Sequence, residues 1–308
     1  RRLAARRHAP LCHHWHHPRE MAPSMTDIID AHCHFWTLSR GDYSWLTPEY
    51  PALFRDFAPA DMLPFLGRLR VKGVVAVQAA ATEAETAFLI ALASHHSFIR
   101  GVVGWTDLLS PAAPDQVEAM VSIYGRTLKG FRFAPDEVGS RGPAESCLGA
   151  SLRAMARHNL VLDFLSSSPG PHDVREMLDA APELRIVLNH AGLPYAGAEA
   201  LNRWRNSLRG MADMPSVFCK LSGLTNPELS LQDGDIDAVM EHTLEVFGSE
   251  RLMWGSDWPV LCLASQYTDW LARCRKTLES LSAAAQQRIF SDNAARVYGL
   301  FSSGLKPR

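Results

Sequence analysis

The feature that most constrains this chain is a repeated alternation. Eight short runs rich in Val, Ile, Leu and Phe are separated by stretches with helical spacing of apolar residues. The runs cover Thr26–Cys33, Lys72–Ala79, Ile99–Trp105, Thr127–Phe133, Leu160–Leu165, Arg185–His190, Val217–Leu221 and Leu252–Ser256. They recur about every 25–45 residues, the spacing of βα units. Most are continuously apolar, so both faces of each strand are expected to be covered, as in a parallel sheet. Helices are expected over Asp61–Arg70, Thr82–His95, Pro114–Tyr124, Ala144–His158, Asp173–Ala181, Ala198–Met211 and Ile236–Phe247. Two more close the chain, around Trp270–Leu278 and Ala283–Tyr298. A closed α/β architecture, the TIM or (β/α)8 barrel, satisfies this order. An open doubly wound sheet fits less well, because no Gly-x-Gly-x-x-Gly follows the first run.

The composition is that of a globular protein. The chain has 308 residues, 47% hydrophobic and 21% charged, with a formal net charge of −2. That charge gives no reason to expect nucleic acid as a partner. No apolar run approaches the length of a membrane span. The six cysteines lack C-x-x-C pairs and read as reduced thiols of a cytoplasmic protein. Residues 1–24 are rich in Arg and His and are expected to be a disordered extension ahead of a mis-assigned start, with Met21 or Met25 the more natural beginning. Residues 25–308 are then one barrel domain. The partner expected is a small-molecule substrate, and a homo-oligomer is compatible with the sequence.

In such barrels the chemistry sits at the C-terminal ends of the strands. Those ends carry His32 and His34, Gln78, Trp105 and Asp107, Arg132, Asp163, His190, Lys220 and Ser222, and Asp257. So many ionisable groups sorted to one end of a barrel point to a catalytic mouth. His32 and His34 stand two apart, so a strand points both to one side. Asp257 lies between Ser256 and Trp258 in a strand-ending turn. Bland roles exist for each: Arg132 could pair with Asp163, Lys220 could neutralise Asp257, and Trp36, Trp45 and Trp258 could be core. His242 reads as a surface residue. The aromatic segment Thr37–Ala58 is too long for a plain connector and is expected to pack over another part of the fold.

These residues resemble the amidohydrolase superfamily, and within it the lactonase branch similar to L-fuconolactonase. The resemblance runs from about Asp27 to Leu300 and is carried by Asp30-Ala31-His32-Cys33-His34-Phe35-Trp36, Tyr43-Ser44-Trp45-Leu46, Lys129-Gly130-Phe131-Arg132, Leu188-Asn189-His190-Ala191-Gly192, Cys219-Lys220-Leu221-Ser222-Gly223-Leu224 and Gly255-Ser256-Asp257-Trp258-Pro259. It departs at Arg132-Phe133, where relatives carry Arg-His, and at Leu188-Asn189, where Leu-Asp is usual. No carboxylated lysine of the two-metal relatives is evident.

The resemblance implies a hydrolase that opens the ester ring of a small lactone, of sugar-acid or muconate type, with Asp257 activating water. The alternative in the same superfamily is a lactone isomerase, or a metal-dependent decarboxylase or hydrolase of ring carboxylic acids. Expected catalytic residues are Asp257, His190, Arg132 and Lys220. Trp36, Trp45, Gln78, Arg132 and Trp258 are expected against substrate. His32, His34, His190 and Asp257 are the candidate ligands of one divalent ion, zinc or manganese, in a branch that also works without metal.

Overall fold

The computed structural model describes residues 26–135 and 147–301. The extension expected over residues 1–24, and the first residues of the helix expected from Ala144, lie outside the described residues. Eight parallel strands follow chain order around the sheet. They are β1 (Ile28–Cys33), β2 (Val71–Val77), β3 (Ile99–Gly104), β4 (Leu128–Phe133), β5 (Val161–Phe164), β6 (Arg185–Leu188), β7 (Val217–Leu221) and β8 (Leu252–Trp254). Each meets its successor in a parallel ladder. Between and after them lie α1 (Pro59–Arg68), α2 (Glu83–His95), α3 (Ala113–Tyr124), α4 (Leu148–Arg157), α5 (Pro171–Ala180), α6 (Ala198–Ala212), α7 (Asp233–Arg251) and α8 (Tyr267–Thr277).

The continuous apolar character of the strands has a direct cause. On β2, Val75 and Val77 point into the barrel while Val74 and Ala76 face the surrounding helices, so both faces are buried. The barrel interior is filled by Ile29, Ala31, Val75, Val103, Val161, Val187, Phe218 and Met253. The chain end packs into the same cluster with Val297, Tyr298 and Leu300. The closing helix is not uniform, as a π-helical stretch over Arg288–Asp292 divides Ala283–Gln287 from Asn293–Val297.

β1 and β8 meet through a short seam. Cys33 bridges Trp258, the Asp257 N–H donates to the His32 carbonyl at 2.8 Å, and the His34 N–H donates to the Trp258 carbonyl at 2.7 Å. Below them, Asp30 Oδ1 accepts from the N–H groups of His32 at 3.1 Å and Ser256 at 2.9 Å. A buried carboxylate therefore stitches the first strand to the last.

Thr82 caps α2 by accepting from the Glu85 N–H at 3.1 Å. Thr82 and Glu85 have capping-box spacing, but the Glu85 side chain does not return to the cap. Its buried carboxylate accepts from Tyr43 Oη at 2.9 Å and from the Ala79 N–H at 3.0 Å. This fastens the 37–58 segment to the end of β2, at the mouth. His242, predicted at the surface, is instead buried on α7 with its ring edge-on to Trp204.

Candidate active site

Three imidazoles converge on one carboxylate oxygen. Asp257 Oδ1 lies 3.2 Å from His34 Nε2, 3.6 Å from His32 Nε2 and 4.0 Å from His190 Nε2. β1 supplies His32, and the extended residues after it supply His34. His190 follows β6, which ends at Leu188, earlier than predicted. The chain there turns through left-handed conformations at His190 (φ 53°), Ala191 (φ 51°) and Leu193 (φ 53°). Asp257 also has a positive φ of 60°. Non-glycine residues in this region are uncommon, and such outliers cluster at functional sites. The turn after β6 is held by Trp204 Nε1, which donates to the Ala191 carbonyl at 2.7 Å. His190 Nδ1 lies 3.0 Å from Ser222 Oγ.

The hydrogen bonds fix part of the protonation pattern. His34 Nδ1 is 2.8 Å from the Val77 carbonyl, which only accepts, so Nδ1 carries a proton. In the neutral ring His34 Nε2 is then a lone pair, facing the Asp257 carboxylate. Burial pushes His190 down to about 4, with Asp257 opposing the shift. Burial also holds His32 well below the ordinary histidine value, and the positive charge of Lys220 adds to it. For Asp257, burial alone would push the carboxyl up. His190, His34 and the charge of Arg132 outweigh it, leaving the group below the usual carboxylate range. Asp257 is thus ionised near neutral pH in a site where burial disfavours charged imidazoles.

Lys220 takes a different partner from the one predicted. It is fully buried and makes its ion pair with Asp163, not Asp257. Its Nζ is also 3.2 Å from His32 Nδ1, and Asp163 Oδ1 accepts from Tyr298 Oη at 2.6 Å. Asp163 is therefore matched by Lys220 and Tyr298 rather than by Arg132, although Arg132 is its register neighbour. Lys220 sits behind His32 and is not among the residues lining the mouth.

The mouth is a cavity of about 440 Å³. His34, His190, Asp257 and Arg132 form its inner end, and Trp45 lines it farther out. Trp36, Gln78 and Trp258, expected against substrate, do not line it. Trp36 is fully buried, packing edge-on against Phe57 and Trp45 while its indole donates to the Arg55 carbonyl at 2.7 Å. Trp258 packs edge-on against Phe35, Phe57 and Phe65 beneath the mouth. Gln78 is buried at the end of β2, with no hydrogen bond to its amide among the described residues. Sequence reasoning missed Asp42, Tyr50, Asn226 and Glu228, which line the cavity from irregular loops. For Asp42 and Tyr50 the only signal available was the unusual length of the 37–58 segment, and Asn226 and Glu228, which follow β7, had none.

The donor set fits one divalent ion. His32, His190 and Asp257 offer ligand atoms that all lie within 4.8 Å of one another. His34 Nε2 adds a lone pair against the same carboxylate oxygen. Acceptor atoms converging on one buried point require a shared proton or a cation.

An eight-stranded parallel barrel with a His-x-His strand end, a third histidine and a carboxylate at its mouth defines a hydrolase-type barrel site. The chain belongs to the amidohydrolase family, whose sequence profile matches residues 29–300. It is 35% identical over 287 residues to the L-fucono-1,5-lactonase of Burkholderia ambifaria, covering 89% of this chain and 96% of that protein. It is 36% identical to the L-fucono-1,5-lactonase of Burkholderia multivorans, with 88% and 96% covered. Among solved structures, an amidohydrolase from Burkholderia multivorans with bound zinc superimposes with a TM-score of 0.78 at 33% identity, covering 89% of this chain and 99% of that one. Among the described residues no helix is long and apolar enough to cross a membrane.

Proposed function

We propose that this chain is a lactone hydrolase in which Asp257 activates the attacking water. The observation that carries the reading is the convergence of His32, His34 and His190 on Asp257 Oδ1 at the inner end of the cavity. The L-fucono-1,5-lactonase relatives support the same reading.

The chemistry follows from these groups. Asp257, ionised and buried, takes a proton from water as the water oxygen bonds to the lactone carbonyl carbon. The carbonyl π electrons move onto oxygen, and donors at the inner end of the cavity stabilise that charge. Arg132 is assigned there, and His190 shares the role when its Nε2 carries a proton rather than an ion. As the carbonyl re-forms, the ring C–O bond breaks and Asp257 returns its proton to the ring oxygen. The product is an open-chain hydroxy acid, which gives up one proton at neutral pH. Lys220 holds His32 from behind, and Trp45 offers an aromatic face to the ring. When bound on His32, His34, His190 and Asp257, a divalent ion, zinc or manganese, supplies Lewis-acid polarisation of the carbonyl.

The test is a pH-indicator assay with L-fucono-1,5-lactone, with product structure read by NMR. Acid release and an open-chain product are expected, with chelator lowering the rate and zinc or manganese restoring it. A rearranged lactone formed without acid release would replace hydrolysis by isomerisation.

A further inference from the structure

We propose that Glu228 selects a neutral, polyhydroxylated lactone over one that carries an ionised acid group; the proposal rests on the lactone-hydrolase reading above. Beyond its inner end the cavity has a polar rim. Asp42, Ser44 and Tyr50 come from the 37–58 segment, and Asn226 and Glu228 come from the loop after β7. Such a rim offers hydrogen-bond partners to hydroxyl groups around a ring.

The two rim carboxylates differ in what opposes their charge. Asp42 is compensated, with Arg40 Nη2 2.5 Å from its Oδ2 and Thr82 Oγ1 donating to the same oxygen at 2.9 Å. Glu228 has no basic partner among the described residues. Tyr50 Oη donates to its Oε1 at 3.3 Å, across the mouth from the other loop. Its second oxygen takes no hydrogen bond from the described residues and remains available as an acceptor.

The backbone that carries Glu228 is anchored. Asn226 Oδ1 accepts from the Glu228 N–H at 3.0 Å, and the Leu229 carbonyl accepts from the Ala196 N–H at 2.9 Å. The backbone therefore holds Glu228 on the rim, with its exposed carboxylate reaching Tyr50.

A sugar hydroxyl meeting Glu228 makes a charge-assisted hydrogen bond. A carboxylate or sulfonate on the ring meets a like charge instead, with ionised Asp257 below it. Like charges brought to about 4–5 Å, partly screened by water, change binding by about tenfold. Hydrolysis itself creates a carboxylate, so the same charge favours departure of the product.

The test compares D-galactono-1,4-lactone with D-galactaro-1,4-lactone, which differ by a neutral hydroxymethyl group against a carboxylate. The wild type is expected to favour the neutral lactone by about tenfold in kcat/KM. Glu228→Gln should raise KM for the neutral lactone with little change in kcat, and narrow the preference. Glu228→Lys should turn the preference toward the acid. Turnover by the wild type with a preference that neither variant moves by more than about twofold would overturn the role of Glu228 and leave the hydrolase reading standing. Turnover of neither lactone, nor of L-fucono-1,5-lactone, would remove the hydrolase reading and this proposal together.

Discussion

The main chain of Asp257 is hydrogen-bonded to the main chain of His32, N–H to carbonyl, at 2.8 Å. The residues that would do chemistry are thus parts of the seam that closes the barrel. Asp257→Asn keeps the shape of the side chain and removes its charge and basicity. It is expected to lower kcat by about 10²–10⁴-fold while the protein stays folded. Steady-state kinetics alongside a thermal melt separate the two effects, and full kcat in the variant would remove Asp257 from the base role.

Gly223 and Gly41 make a matched pair. Both have positive φ, 66° and 74°. A Cβ on Gly223 would lie 2.4 Å from His190 Nδ1, whereas a Cβ on Gly41 would meet nothing within 4 Å. Alanine at either position is strained and should cost about 1 kcal/mol or more of stability. Only Gly223→Ala has to displace His190. It should lose kcat out of proportion to its melting shift, while Gly41→Ala keeps its turnover. Equal kinetic losses in the two variants would show that His190 tolerates the push.

Lys220 and Asp163 are both fully buried, so removing one leaves the other as an uncompensated charge. Lys220→Met should destabilise the fold by about 3–5 kcal/mol. The double variant Lys220→Met, Asp163→Asn should recover part of that loss in urea titrations. It should not recover activity, because His32 Nδ1 still lacks its partner at 3.2 Å. Restored turnover in the double variant would make Lys220 a purely structural residue.

The barrel was legible because a buried parallel strand leaves an unambiguous trace, as Val74 to Val77 do on β2. The inner site was legible for the same reason, since strand ends carry it and strand order fixes their neighbours. Partner choice was not legible. Arg132 and Lys220 both face the barrel interior near Asp163, and only the path of each side chain decides that Lys220 takes it. Tyr298 lies 135 residues from Asp163 in sequence, and nothing local announces their hydrogen bond. The three tryptophans illustrate the same limit. An aromatic next to a site residue can turn to the mouth, as Trp45 does, or away into packing, as Trp36 and Trp258 do.

Asp30 allows the same seam to be read through pH. Burial raises its carboxyl from 3.8 to about 6, against the hydrogen bonds from Ser256, His32 and Tyr267. Below about pH 4 it is protonated in both the folded and the unfolded chain. Between about pH 4 and 6 the unfolded chain releases that proton and the folded chain keeps it, so stability falls as pH rises. The loss from this group is about 3 kcal/mol, complete above about pH 6. His190 acts in the opposite sense. Its shift from 6.5 to about 4 means that the unfolded chain binds the extra proton, so stability rises across nearly the same window. His32, also held well below the ordinary histidine value, acts in the same sense as His190, so the fall due to Asp30 is masked in the wild type. Asp30→Asn removes the falling contribution and leaves the rising one. Its stability relative to wild type should climb by about 3 kcal/mol between pH 4 and 6, whatever constant penalty the lost hydrogen bonds impose. Urea unfolding of both proteins at half-unit pH steps gives this difference directly, and parallel curves would mean that Asp30 titrates in the folded protein as it does in the unfolded chain.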